Sequence, residues 1–161
     1  VFVTAGEKPI NMSSIEHELK TKFSSVHQKA IINAVYTGNW IMRLHNKVFV
    51  PFDISMQQYN VLRILRGSRA ELNMKDIKSR MIDPTPNLTR LTEKLIQKEL
   101  VEKVRCDNDR RNIYVRITNQ GLALLDQIDP LWTGENAPET KLTLEECDML
   151  NRLLDKLRYG K

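Results

Sequence analysis

The chain has 161 residues, with 25 Lys and Arg against 20 Asp and Glu, a net charge of +5, 41% hydrophobic residues and two cysteines. That length suits one domain with long flanking helices and leaves no room for a second, catalytic domain; no apolar run approaches the roughly 20 residues of a membrane span. Cys106 and Cys147 fall in different elements and are too few for a disulfide framework, and the N-terminus lacks a signal-peptide pattern, so the expectation is a cytoplasmic protein in a reducing compartment.

Residues 1–13 read as a tail. From Ser14 to about Val48 apolar residues recur at helical spacing, including Ile15, Leu19, Phe23, Val26, Ile31, Val35, Ile41 and Leu44. This predicts one long helix or two in line over residues 14–50, with a bend at Gly38-Asn39, because an interior glycine costs about 1 kcal/mol relative to alanine. Pro51 ends the segment. A helix of that size is about 50 Å long, more than a small core can cover, so its apolar stripe predicts a partner chain and a dimer.

Ser55-Met56-Gln57-Gln58 is a capping box that starts a helix carrying Tyr59, Val61, Leu62, Ile64 and Leu65 inward, with Gly67 as its C-cap. Asn73 caps a short helix through Met81, with Met74, Ile77 and Met81 on one side and Lys75, Lys78 and Arg80 elsewhere. Asp83-Pro84-Thr85-Pro86 makes a turn. Thr85 as N-cap and Pro86 as first helical residue place the next helix over residues 86–99, since proline's missing N–H costs nothing there. Residues 101–105 and 113–118 read as strands with a polar seven-residue connection, and Ile113, Val115 and Ile117 are expected on one buried face. Thr118 caps a helix that runs to the residue before Pro130, with Leu122, Leu125 and Ile128 inward. A loop over 130–142 leads to a second capping box, Thr143-Leu144-Glu145-Glu146, and a helix with Cys147, Leu150, Leu154 and Leu157 on one stripe.

Helix, short helix, second helix, strand, arginine-bearing loop and strand form the order of a winged helix-turn-helix. The predicted fold class is mainly α with a small β-hairpin: a dimerisation helix over 14–50, a DNA-binding lobe over 51–118, and C-terminal dimerisation helices over 119–161. Charge follows the same division. Residues 69–116 hold 12 Lys and Arg against 8 Asp and Glu, whereas residues 117–161 hold 5 against 8. A basic middle suits a polyanion and an acidic end suits a protein surface, with ordinary charge scatter as the alternative.

On a helix over 86–99, Leu88, Leu91 and Leu95 share one side, while Pro86, Arg90, Glu93 and Gln97 lie opposite, flanked by Thr89 and Lys94. Asn87, Thr89 and Arg90 are the residue types that read base edges: Arg spans the two guanine acceptors, Asn pairs with adenine, and the Thr methyl meets that of thymine. Thr85, Pro86, Lys94 and Lys75 complete the DNA-binding candidates on the helices. In the wing, Asp109 is spaced to orient Arg111 for the minor groove, and Arg110 falls to a phosphate. A solvated helix face and a charged turn without function are the alternatives.

The motifs Leu88-Thr89-Arg90-Leu91, Lys98-Glu99-Leu100-Val101-Glu102, Asp109-Arg110-Arg111 and Val115-Arg116-Ile117-Thr118-Asn119-Gln120-Gly121 resemble the signature of the MarR family of bacterial transcriptional regulators. The resemblance covers about Ser14 to Arg158. It implies a homodimer joined through its first and last helices, a repressor on a palindromic double-stranded DNA operator, and release by a small aromatic anion. Tyr36, Trp40 and Arg43, within two turns of the long helix, are the ligand candidates, with core aromatics as the alternative. Redox-sensing members resemble one another in a cysteine early in the first helix, which this chain lacks; Cys106 between Arg105 and Arg110 is the one place for a thiol-responsive variant. A winged-helix module that binds protein instead of DNA is the other reading. His17, His27 and His45 on one helix stand too far apart to share an ion, and no nucleophile or phosphate-cradling loop is present, so neither metal, cofactor nor enzyme activity is implied.

Overall fold

The computed structural model describes residues 13–84, 87–105, 113–132 and 142–159. The tail over residues 1–12, and most of the loop expected over 130–142, lie outside them. The chain divides into two compact units, Val1–Met42 and Arg43–Lys161.

In the first unit, Ser14 caps a short helix α1, Ile15–Leu19, which Lys20 ends in the left-handed conformation at φ 50°. The long helix α2, Val26–Phe49, starts afresh and runs unbroken through Gly38. The break therefore falls at residues 20–25 and not at Gly38-Asn39. Its cause is local: Gln28 N–H donates to Ser25 Oγ at 3.1 Å while the Gln28 amide oxygen accepts from Ser24 N–H at 2.9 Å. These bonds satisfy the Ser24 and Gln28 N–H groups at a new helix start, and one glycine's cost is small across a 24-residue helix. Val26, Ile31 and Val35 are exposed at 81%, 53% and 61%, an apolar surface that the described residues leave uncovered.

The second unit holds the core. A 3₁₀ turn, Val50–Phe52 with Pro51 inside it, leads to α3, Met56–Ser68, started by the Ser55 capping box: Gln58 N–H donates to Ser55 Oγ at 3.2 Å and Ser55 N–H to Gln58 Oε1 at 2.9 Å. Gly67 is not the C-cap. The helix passes through it to Ser68, whose hydroxyl donates to the Leu65 carbonyl at 2.8 Å, and Arg69 takes the left-handed position at φ 54°. Strand β1, Leu72–Asn73, precedes α4, Met74–Arg80, capped by Asn73, whose Oδ1 accepts from Asp76 N–H. Then come α5, Leu88–Gln97; β2, Val101–Arg105; β3, Ile113–Ile117; and α6, Asn119–Ile128, capped by Thr118. A 3₁₀ turn, Asp129–Trp132, follows, and α7, Leu144–Tyr159, starts at the Thr143 box, with Thr143 N–H on Glu146 Oε2 and Glu146 N–H on Thr143 Oγ1.

The hairpin expected from the sequence is part of a three-stranded antiparallel sheet in the order β1-β3-β2. Leu72 opposes Val115 and Asn73 opposes Tyr114, while Val101 to Arg105 run against Ile117 to Ile113. Two residues of β1 are too short to show a period of two. The expected single face is also only partly buried: Val115 is fully buried and Ile117 half-buried, but Ile113 at the open end is 51% exposed. Leu62, Leu65, Ile77, Leu95, Leu125 and Ile128 form the centre of the core, so α3, α4, α5 and α6 meet on one apolar cluster behind the sheet.

Gly121 is required by close approach. A Cβ there would stand 2.3 Å from the Leu100 carbonyl oxygen and 2.8 Å from Ile117 Cγ1. The same carbonyl accepts Thr118 N–H at 3.1 Å, and Thr118 Oγ1 donates to the Glu99 carbonyl at 2.7 Å. Thr118 thus joins the start of α6 to the turn that follows α5. No buried residue lies on α7, where Leu150, Leu153 and Leu157 are all exposed.

Candidate nucleic-acid interface

Helix α5 buries Leu88, Thr92 and Leu95 and leaves Thr89, Arg90, Glu93, Lys94 and Gln97 in solvent. The Thr92 hydroxyl reaches Met74 Sδ at 3.9 Å, which sets α5 against α4. Only one side of the helix is committed to the core, and the other is polar and reachable, which is what groove insertion requires.

The start of α5 differs from the sequence expectation. Asn87 is the N-cap, its Oδ1 accepting Arg90 N–H at 3.1 Å, and helical residues begin at Leu88; Thr85 and Pro86 lie outside the described residues. Asn ranks with the strongest N-caps, and its short side chain reaches the N–H three residues on. A bidentate adenine contact draws on Oδ1 and Nδ2 together, and the capping bond already occupies one of the two lone pairs of that oxygen. Thr89 and Arg90 stand exposed on the first turn of the helix. The helix also ends earlier than expected, at Gln97 and not about Glu99; Lys98 is its C-cap and Glu99 turns at φ 58°.

Lys98 closes the far end of α5 by donating to both the backbone carbonyl and the carboxylate of Asp53. That bond, and the ammonium charge behind it, hold the Asp53 carboxyl below the usual aspartate range. Lys98 is therefore spoken for, whereas Lys75, Lys78, Arg80, Arg90 and Lys94 are exposed and have no ion-pair partner among the described residues. Unpaired cations on α4 and α5 are available to phosphates.

The wing strands end at the pair Arg105 and Ile113, so residues 106–112 connect their tips. Asp109, Arg110, Arg111 and Cys106 lie on that connection, outside the described residues. Below it, Arg116 Nε and Nη2 both donate to Glu102 Oε1, at 3.0 and 2.8 Å, which raises the arginine pKa and takes its guanidinium out of the pool of free cations. Sequence periodicity missed this pairing, although a Glu and an Arg on adjacent strands are a recognisable cross-strand pair.

Of the ligand candidates, Tyr36 and Trp40 line a cleft of about 420 Å³ in the first unit with Ser14, Asn33, Thr37 and Lys29. Arg43 is not among its lining residues; it belongs to the second unit. The cation of the cleft is Lys29, missed in the sequence, and it is paired at 2.6 Å with Glu16, whose carboxyl it holds below the usual range. Among the described residues no three His, Cys, Asp or Glu side chains gather around a common metal position, and no helix is long and apolar enough to cross a membrane.

Comparison with known proteins agrees with this geometry. Residues 54–113 match the family model described as MarR family. The multiple antibiotic resistance protein MarR of Escherichia coli K12 is 32% identical over 118 residues, covering 71% of this chain and 81% of that protein. The homoprotocatechuate degradative operon repressor of Escherichia coli is 26% identical over 132 residues, covering 81% and 88%. Among solved structures, a mutant MarR from E. coli complexed with operator DNA superposes with a TM-score of 0.67 and 28% identity, covering 90% of this chain and 99% of that one.

Proposed function

The chain belongs to the MarR family of transcriptional regulators, and from that premise we propose that it works in the cytoplasm as a homodimeric repressor on a palindromic operator, released by a small aromatic ligand. Members of the family are regulators of transcription and not enzymes. The observation that carries the reading is α5: a helix with its apolar side locked into the core, both ends pinned, and Thr89, Arg90, Lys94 and Gln97 free on the other side. The relative complexed with operator DNA has the same fold, and another relative is named as an operon repressor.

In this reading Arg90 and Thr89 face base edges, and Lys75 and Lys94 face phosphates. Thr85, Pro86 and Asn87 form the helix entry, Arg110 meets the backbone, and Arg111, oriented by Asp109, enters the minor groove. Dimerisation is supported by two uncovered apolar surfaces, Val26, Ile31 and Val35 on α2 and Leu150, Leu153 and Leu157 on α7. Ligand release is supported by the cleft lined by Tyr36 and Trp40, with Lys29 placed to meet an anion if it leaves Glu16.

A mobility-shift titration with the DNA upstream of the chain's own gene, alongside light scattering, tests the proposal. A dimer that forms a salt-dependent, sequence-selective complex is expected. A folded protein that binds scrambled DNA equally well, or none, would leave a winged helix used for protein contacts.

A further inference from the structure

Glu93 is the only acidic residue of α5 and stands exposed on its outward side, among Thr89, Arg90, Lys94 and Gln97. At about 100° per residue it lies roughly 60° round the helix from Arg90 and about 4.5 Å further along it, so the two side chains leave the helix on one stripe.

Nothing in the helix itself accounts for a carboxylate there. Glu93 is past the first turn, too far from the helix start to complement its dipole. The stabilising order, a glutamate with a cation four residues later, is not available, because residue 97 is Gln; Arg90 lies three residues before it, in the weaker order, and Lys94 points about 100° away. Among the described residues no ion pair or hydrogen bond engages the Glu93 side chain. On a face presented to DNA a free carboxylate is unfavourable, since the phosphates that attract Lys75 and Lys94 repel it. A hydrogen-bond donor on a base edge offsets that repulsion. The major groove offers two such donors, the N4 amine of cytosine and the N6 amine of adenine. The adenine amine lies beside the N7 acceptor, which repels a carboxylate, whereas the cytosine amine has no acceptor next to it. Guanine O6 and N7 and thymine O4 are acceptors and reject it.

We infer that Glu93 is a specificity-determining residue: its carboxylate accepts a hydrogen bond from a cytosine N4 amine in the major groove, on the base pair that Arg90 reads or the one beside it. The inference rests on the DNA-binding reading above. The axial offset of about 4.5 Å from Arg90 is close to the base-pair rise of about 3.4 Å, which ties the two positions together. The signature of Glu93 differs from that of a cation on the same face. Removing Arg90 loses affinity and selectivity together, whereas removing Glu93 loses selectivity while general attraction to DNA rises.

Two variants of the full chain test this by fluorescence anisotropy against single-base variants of the DNA upstream of its own gene, with Arg90→Ala marking the neighbouring position. Alanine and glutamine are strong helix formers and the site is exposed, so Glu93→Ala and Glu93→Gln should melt with the parent. In the parent one position of each half-site should favour cytosine by about tenfold. Glu93→Ala should bring the four bases there to within about twofold of one another, keep the ranking at other positions, and bind scrambled DNA about twofold more tightly at low salt. Glu93→Gln, which sets a donor beside its acceptor, should move the preference to adenine. The affected position should coincide with or adjoin the one relaxed in Arg90→Ala. Weakening of all variants by one factor in Glu93→Ala would mark a structural role and overturn the assignment, as would a relaxed position that does not favour cytosine in the parent. A parent that forms no sequence-selective complex removes the DNA-binding reading and the role of Glu93 with it. A selective parent whose preferences both variants retain overturns the role of Glu93 alone.

Discussion

Replacing Asn87 by alanine separates a cap from a base reader, because the two roles give different binding data. The Oδ1 to Arg90 N–H bond of 3.1 Å is lost, and the first turn of α5 keeps an unsatisfied donor. An N-cap substitution of this kind costs about 1 kcal/mol, which is roughly fivefold in an equilibrium constant. In the proposed dimer two recognition helices act together, so the loss on a full operator is about 25-fold if each must re-form its first turn in the groove. Fluorescence anisotropy against a panel of single-base operator variants would measure it. Asn87→Ala should weaken all variants by the same factor, and Asn87→Ser, which restores a strong cap, should recover most of the affinity. Arg90→Ala serves as the contrast: it should cost about 1 to 3 kcal/mol and flatten the preference at particular positions. A loss from Asn87→Ala confined to one base pair and not recovered by serine would refute the capping argument.

Two further substitutions test the scaffold behind the interface. Gly121→Ala places a methyl carbon 2.3 Å from the Leu100 carbonyl oxygen, so backbone must move; a destabilisation of about 2 kcal/mol or more is expected in urea unfolding, and a cost within a few tenths would show the approach is not tight. The Asp53 carboxyl is held below its ordinary value of 3.8 by Lys98, so the pair's contribution is complete above that pH and is lost as pH falls through the lowered value. Asp53→Asn should therefore melt below the parent at pH 7, with the gap closing in acid below 3.8; a gap independent of pH would contradict the charge pairing.

Elements whose causes are local were legible in the sequence. The Ser55 and Thr143 boxes, the Asn73 and Thr118 caps, and β2 form as their residues suggest, because each depends on a bond spanning three residues or on alternation within five. The Ser25-Val26-His27-Gln28 start of α2 carries the same signature and was hidden by the apolar periodicity running across it. The cap at Asn87 was not legible because Thr85-Pro86 offers an equally good start two residues earlier, and local chemistry alone does not choose between them. Contacts spanning long stretches of chain were out of reach. Lys98 meets Asp53 across 45 residues, Asn60 meets Ile82 across 22, and β1 exists only because Leu72 and Asn73 lie beside β3.

The central claim is that two copies of α5 read DNA as a pair. Selection of binding sites from a random-sequence DNA pool tests it directly, since neither the operator nor the regulated gene need be known. The account predicts enrichment of an inverted repeat with half-site centres about 10 base pairs apart, the spacing of one helical turn. Enrichment of a single unpaired half-site, or of no sequence by a folded protein, would contradict it.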